Sequence, residues 1–216
     1  MRRRKIDRPT VSHEPPGSRP QPVGARPTLV GHARYFIALV PDAGAAHALA
    51  RLGARLAAAG GGRPQAAADI HLTLAFIGAR DAGFGERLAD ALAPVHEGFA
   101  GAPLALPVLG RFGRSRRPAL FWAGPDARPA WLGEVAAQVD RMLRAMPCEF
   151  DERALVPHLT LLRDARPDFS PDPTIEPPVR VASWRLAIGR SRPAGERPRY
   201  AWSEPGDRHQ TVKALS

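Results

Sequence analysis

From residue 35 onward the chain alternates between two hydrophobic periods. Tyr35-Phe36-Ile37-Ala38-Leu39-Val40 is an unbroken apolar run closed by Pro41, the pattern of a buried strand. Leu49, Leu52 and Leu56 then recur at i, i+3 and i+7, which predicts a helix over 43–59 ended by Gly60-Gly61-Gly62. A strand is expected over 70–77, closed by Gly78. A helix follows, carried by Phe84, Leu88, Leu92 and Val95, and then strands over 104–109 and 119–123. Trp131, Val135, Val139 and Met142 repeat the helical spacing of the second helix. Further strands are expected over 156–162, 179–188 and 200–203.

The order strand, helix, strand thus occurs twice, first over 35–40, 43–59 and 70–77 and again over 119–123, 129–145 and 157–162. Two copies at so long a spacing indicate duplication rather than a solenoid, whose repeats are shorter and more numerous. The expected fold is α+β, with two pseudo-symmetric lobes facing each other across a central cleft and built from a duplicated strand–helix–strand unit.

Composition bounds the function. The chain has 216 residues, of which 44% are hydrophobic, enough for a core. Its single cysteine, Cys148, excludes an internal disulfide and a cysteine-clustered zinc site. No apolar stretch is long enough to span a membrane, and Asp7, Arg8 and Pro9 stand where a signal peptide would be apolar, so a soluble cytoplasmic protein is expected. The net charge of +10 favours a polyanionic partner, although an arginine bias with only two lysines also fits a GC-rich genome. Residues 1–33, basic and rich in proline, read as a disordered tail; 34–203 form the bilobal domain and 204–216 a C-terminal tail.

The chemistry lies in a tetrapeptide that occurs twice, His71-Leu72-Thr73-Leu74 and His158-Leu159-Thr160-Leu161. On a strand His71 and Thr73 share one face, and Leu72, Leu74 and Phe76 the other; the second copy behaves alike. A histidine that is merely packed in a core has no use for a threonine two residues on. In a cleft, His moves protons and Thr donates to an anionic oxygen. Two such pairs converging from two lobes make an acid–base site centred on a phosphate. No metal is called for: a site on these histidines would want nearby carboxylates or a third His, and Asp69, adjacent in sequence on the His71 face, lies beside an expected loop.

The paired motifs, in the context YFIALVPD, HLTLAFIG and PHLTLLR, resemble the 2H phosphoesterase superfamily. Within it they resemble the bacterial RNA 2′,3′-cyclic phosphodiesterases, also called 2′-5′ RNA ligase-like or LigT-like proteins. The resemblance covers about residues 34–203. It implies mainly antiparallel sheets flanking the cleft with helices outside. It also implies opening of RNA 2′,3′-cyclic phosphate ends to 2′-phosphomonoesters without metal, ATP or other cofactor, with 2′-5′ ligation as the reverse reaction. By the same resemblance His71 is the proton donor, His158 the acceptor, and Thr73, Thr160 and Arg163 bind phosphate. Ideal alternation turns Arg163 away from His158, so a bulge or strand end is required to bring it round. The implied partner is RNA with a cyclic phosphate terminus, such as tRNA fragments, acted on by a monomer away from membranes.

Two arginine-rich loops could track an RNA backbone: Arg111, Arg114, Arg116 and Arg117, and Arg190, Arg192, Arg197 and Arg199. Phe36, Phe76, Phe112, Trp122, Tyr200 and Trp202 are candidates for stacking a base. Other readings are a phosphodiesterase acting on small cyclic nucleotides or ADP-ribose cyclic phosphate, and a non-catalytic RNA- or nucleotide-binding module. The intact His and Thr pairs argue against the last.

Overall fold

The structure is a computed structural model that describes residues 33–81, 83–113 and 118–205. Nearly all of the expected N-terminal tail, most of the C-terminal one, and Arg114, Arg116, Arg117, His13, His32 and His209 lie outside the described residues.

The elements are β1 (Ala33–Pro41), α1 (Ala43–Gly60), β2 (Arg63–Pro64), β3 (Leu72–Arg80), α2 (Phe84–Glu97), β4 (Leu104–Phe112), β5 (Ala119–Gly124), α3 (Ala130–Ala145), β6 (Leu159–Ala165), β7 (Thr174–Val181), β8 (Trp184–Ser191) and β9 (Tyr200–Ser203); all but the two-residue β2 correspond to expected segments. A short 3-10 turn, Ala67–Asp69, precedes β3. The strand expected over 179–188 is in fact two, β7 and β8, broken at Ala182-Ser183. There the Asp42 carboxylate, which also caps α1 by accepting from the Ala45 amide at 2.9 Å, accepts from the Ala182 amide at 2.8 Å. The start of β7 escapes the pattern because Pro177 and Pro178 interrupt it, and such prolines are tolerated on the edge strand that β7 is.

All strands pair antiparallel in one open sheet of order β7-β4-β5-β6-β3-β1-β8-β9, with β2 added to β6. The two expected lobes are the two halves of this sheet, joined between β3 and β6 through the single pair Leu72–Leu159. The duplicated units correspond as expected, β1-α1-β3 with β5-α3-β6. The helices, however, cross over: α1, which follows β1, packs on β6 and β7 of the other half, and α3, which follows β5, packs on β3. Leu49 and Leu56 of α1, Leu132, Val139 and Leu143 of α3, and Leu72, Leu159 and Leu161 of the sheet form one shared core. Burying each such side chain contributes about 1.5–3 kcal/mol.

The crossing is tight at Gly53, where a Cβ would stand 2.6 Å from the Leu161 carbonyl oxygen. Gly53→Ala gains helix propensity but forces α1 off β6. A net loss of about 1–3 kcal/mol is expected, read as a lower urea midpoint.

Candidate active site

Pairing Leu72 with Leu159 in antiparallel register sets His71 opposite Thr160 and Thr73 opposite His158. Both leucines are fully buried beneath the sheet, so all four polar side chains stand on its other face. Directly opposed residues in such a ladder are about 4.5–5.5 Å apart. The result is a four-residue square with histidines on one diagonal and threonines on the other. The expected convergence of the two motifs is therefore a consequence of one backbone pair.

Each imidazole is held in the same way. His71 Nδ1 lies 2.8 Å from the Asp69 carbonyl oxygen, and His158 Nδ1 lies 2.7 Å from that of Val156. A carbonyl can only accept, so Nδ1 carries the proton and donates it. The neutral ring then keeps Nε2 as a free lone pair. Burial pushes the His71 pKa down to about 4, against the opposing pull of the Asp69 carbonyl; the Arg163 guanidinium and His158 push in the same direction as burial. His158 is also lowered, chiefly by burial and further by Arg163.

Strand irregularities place the next residues. Against β1, Ala75 faces Ile37 and Thr73 faces Ala38, which leaves Leu74 as an extra residue in β3. Against β5, Leu162 faces Phe121 and Thr160 faces Trp122, which leaves Leu161 extra in β6. The Leu161 carbonyl is taken instead by the Gln65 amide, at 2.9 Å. Each bulge reverses the alternation that follows. Arg163 thereby comes round to the histidine side and lines the cleft, by the device its sequence position required. Its counterpart in the first repeat is Phe76, which the same reversal moves off the core face where simple alternation puts it. Phe76 is 44% exposed and lines the same cavity.

Aromatic rings surround both histidines. Phe36, Tyr200 and Trp202 have centroids 4.9, 5.1 and 5.3 Å from that of His71; Phe112 and Trp122 are 4.9 and 6.1 Å from His158. Both Phe36 and Trp122 lie over a glycine on the neighbouring strand. A Cβ at Gly189 would meet the Phe36 ring at 2.2 Å, and one at Gly110 the Trp122 ring at 2.0 Å. With Phe76, all six aromatic candidates from the sequence lie beside the histidines or line the adjoining cavity.

Asp69 is buried, and its carboxylate accepts the Tyr200 amide at 3.3 Å, while Trp202 Nε1 donates to the Ala68 carbonyl at 2.9 Å. These two bonds tie the 3-10 turn that holds His71 to β9. The cavity beside His71 measures about 470 Å³, and six arginines line it: Arg34, Arg63, Arg163, Arg192, Arg197 and Arg199. Arg190 is not among them, and Arg111 instead donates to the Pro167 carbonyl, at 2.9 Å. Arg34 and Arg63 escape a reading of the sequence. Arg34 sits at the edge of the first apolar run. Arg63 lies on a two-residue strand too short to show a period, and the one signal for it is the glycine triplet before it. Gly62, at φ 93°, brings the chain so close to β6 that a Cβ would stand 2.6 Å from the Arg163 carbonyl oxygen. Among the described residues no three His, Cys, Asp or Glu side chains cluster so as to hold a metal ion, and no helix is long and apolar enough to cross a membrane.

Residues 40–122 match the family model described as LigT like Phosphoesterase. The chain is 36% identical over 95 residues to the RNA 2′,3′-cyclic phosphodiesterase of Geobacillus stearothermophilus, a stretch covering 44% of this chain and 30% of that protein. It is 35% identical over 127 residues to the RNA 2′,3′-cyclic phosphodiesterase of Escherichia coli K12, covering 59% of this chain and 66% of that one. The matches thus span less than two thirds of these relatives. The fold superposes on E. coli LigT complexed with 3′-AMP at a TM-score of 0.65 and 27% identity, over 80% of this chain and 96% of that one. The chain is thus similar in sequence to LigT-like phosphoesterases over part of its length and shares the fold of E. coli LigT.

Proposed function

We propose that residues 34–203 form an RNA 2′,3′-cyclic phosphodiesterase that opens cyclic ends to 2′-phosphomonoesters. The reading is carried by the two equivalently locked imidazoles on one diagonal of a four-residue square. His158 Nε2 takes a proton from water as the water oxygen bonds to phosphorus on one side. His71, protonated at Nε2, gives its proton to O3′ as the P–O3′ bond breaks on the opposite side. The product carries a 2′-phosphate and a free 3′-hydroxyl. Thr73, Thr160 and Arg163 hold the non-bridging oxygens as charge builds on them. With a 5′-hydroxyl in place of water, the same displacement joins two ends through a 2′-5′ linkage. The square supplies both proton transfers by itself, so no metal or nucleotide cofactor is needed.

The test is an oligoribonucleotide ending in a 2′,3′-cyclic phosphate, incubated with EDTA and without ATP, followed by identification of the product end. A 2′-phosphate is expected; a 3′-phosphate, or turnover only with added divalent metal, refutes the mechanism. Thr73→Val and Thr160→Val keep side-chain volume but remove the hydroxyl donor, and each is expected to lower kcat by about 10²-fold. Steady-state kinetics with unchanged melting curves measures this.

A further inference from the structure

Among the described residues the cleft is not charged evenly. The arginine-lined cavity reaches His71 and Thr73 but not His158 or Thr160. Among the described residues His158 is flanked by Phe112 and Trp122, with Phe112 and Val156 36% and 50% exposed, and Arg163 is the guanidinium that acts on it. The reacting end itself calls for little positive charge. A cyclic phosphodiester carries one negative charge, which Arg163 and the two threonine hydroxyls answer.

The remaining cations need another explanation. Arg192 lies 4.0 Å from Glu196, and Arg63 is paired with Asp164. Among the described residues Arg34, Arg197 and Arg199 have no carboxylate partner, yet all three line the one cavity. Arg197 and Arg199 are carried by the β8–β9 hairpin, closed by the Arg192 amide on the Arg199 carbonyl at 2.8 Å. Guanidinium groups gathered without counterions favour an anionic ligand, and their planar forks suit phosphate.

The reaction geometry says where that phosphate sits. In an in-line displacement the leaving oxygen emerges opposite the attacking one. O3′ belongs to the ribose of the reacting nucleotide, so the ribose and everything upstream lie on the side of the proton donor, which is the arginine side. The geometry points to a second phosphate subsite, formed by Arg34, Arg197 and Arg199, that takes the phosphate on the 5′-oxygen of the reacting nucleoside. The subsite rests on the proposed activity for its orientation. It makes the enzyme selective for strand ends over cyclic mononucleotides.

Binding of product-type ligands tests it without reliance on turnover. The probes are the dinucleotide ApA ending in a 2′-phosphate, the same dinucleotide with an uncharged methylphosphonate linkage, and adenosine 2′-phosphate. The native dinucleotide is expected to bind about tenfold or more tightly than the uncharged one, which falls to the level of adenosine 2′-phosphate. Arg197→Ala/Arg199→Ala erases the difference. It also flattens the dependence of log Kd on log salt by roughly 0.7 for each phosphate charge no longer neutralised. Adenosine 2′,5′-bisphosphate separates the two sources of such a phosphate. If the dinucleotide binds more tightly, the ligand is a strand; if the two bind equally, it is a terminal 5′-phosphate. Equal affinity for the charged and uncharged dinucleotides, or a difference that survives in the double variant, overturns the subsite. Hydrolysis of adenosine 2′,3′-cyclic phosphate, assayed on the same protein, reports separately on the activity.

Discussion

Replacing either His71 or His158 by alanine is expected to lower turnover of an RNA 2′,3′-cyclic phosphate by about 10²–10⁴-fold, the usual worth of a positioned acid or base. The threonines and Arg163 stay in place in both variants, so residual activity above the uncatalysed rate is expected. The double variant should be little worse than either single one, because the two groups act in one transition state. The variants separate on a diester with a nitrophenolate leaving group, which departs without a proton. Such a substrate restores most of the rate to His71→Ala, where only the donor is missing, and little to His158→Ala. Equal recovery in both, or full activity in either, would sink the assignment of roles.

The second large effect concerns protons. With the His71 pKa lowered to about 4 and His158 also lowered, both rings are neutral in the empty cleft at pH 7. The donor must therefore acquire its proton together with the anionic substrate, whose charge offsets the cost of an imidazolium out of water. In the free protein the singly protonated pair is most populated below pH 6.5. The kcat/KM profile should peak there and fall as pH rises, while the kcat optimum, set in the complex, lies higher. Sulfate keeps its charge across this range, so its affinity should rise as pH falls from 7 to 5, with His71 Cε1–H titrating at a higher pH when sulfate is bound. Stability moves the other way. Between the folded value of about 4 and the ordinary 6.5, the unfolded chain binds more protons at His71 than the folded one. Stability therefore rises with pH through that window and is lost on acidification, and the urea midpoint of His71→Ala should vary less over it. A His71 resonance titrating at its ordinary pH in the empty protein would contradict this account.

The strand–helix–strand duplication is legible in the sequence because each of its elements carries a clean period over enough residues. The HxTx pairs are legible because alternation alone separates His and Thr from Leu. What alternation does not supply is parity beyond the motif. Leu74 and Leu161 look like ordinary inward residues, and only the pairing with β1 and β5 reveals each as an inserted one that turns Phe76 and Arg163 toward the cleft. Two-residue β2, and with it Arg63, has no period to read. The tie between Asp69 and β9 joins residues 131 apart and leaves no local trace.

The crossed helices bear on what a single repeat could be. One copy alone would leave the underside of its HxTx strand bare and its helix with nothing to lie on, so it would need a second copy to close the same square. Two identical copies would also be obliged to present identical corners. Joined in one polypeptide, the copies are free to drift apart, and they have done so where it matters: Phe76 against Arg163, Asp69 against Val156. Fusion in one chain is the precondition for the different work proposed for two chemically alike imidazoles.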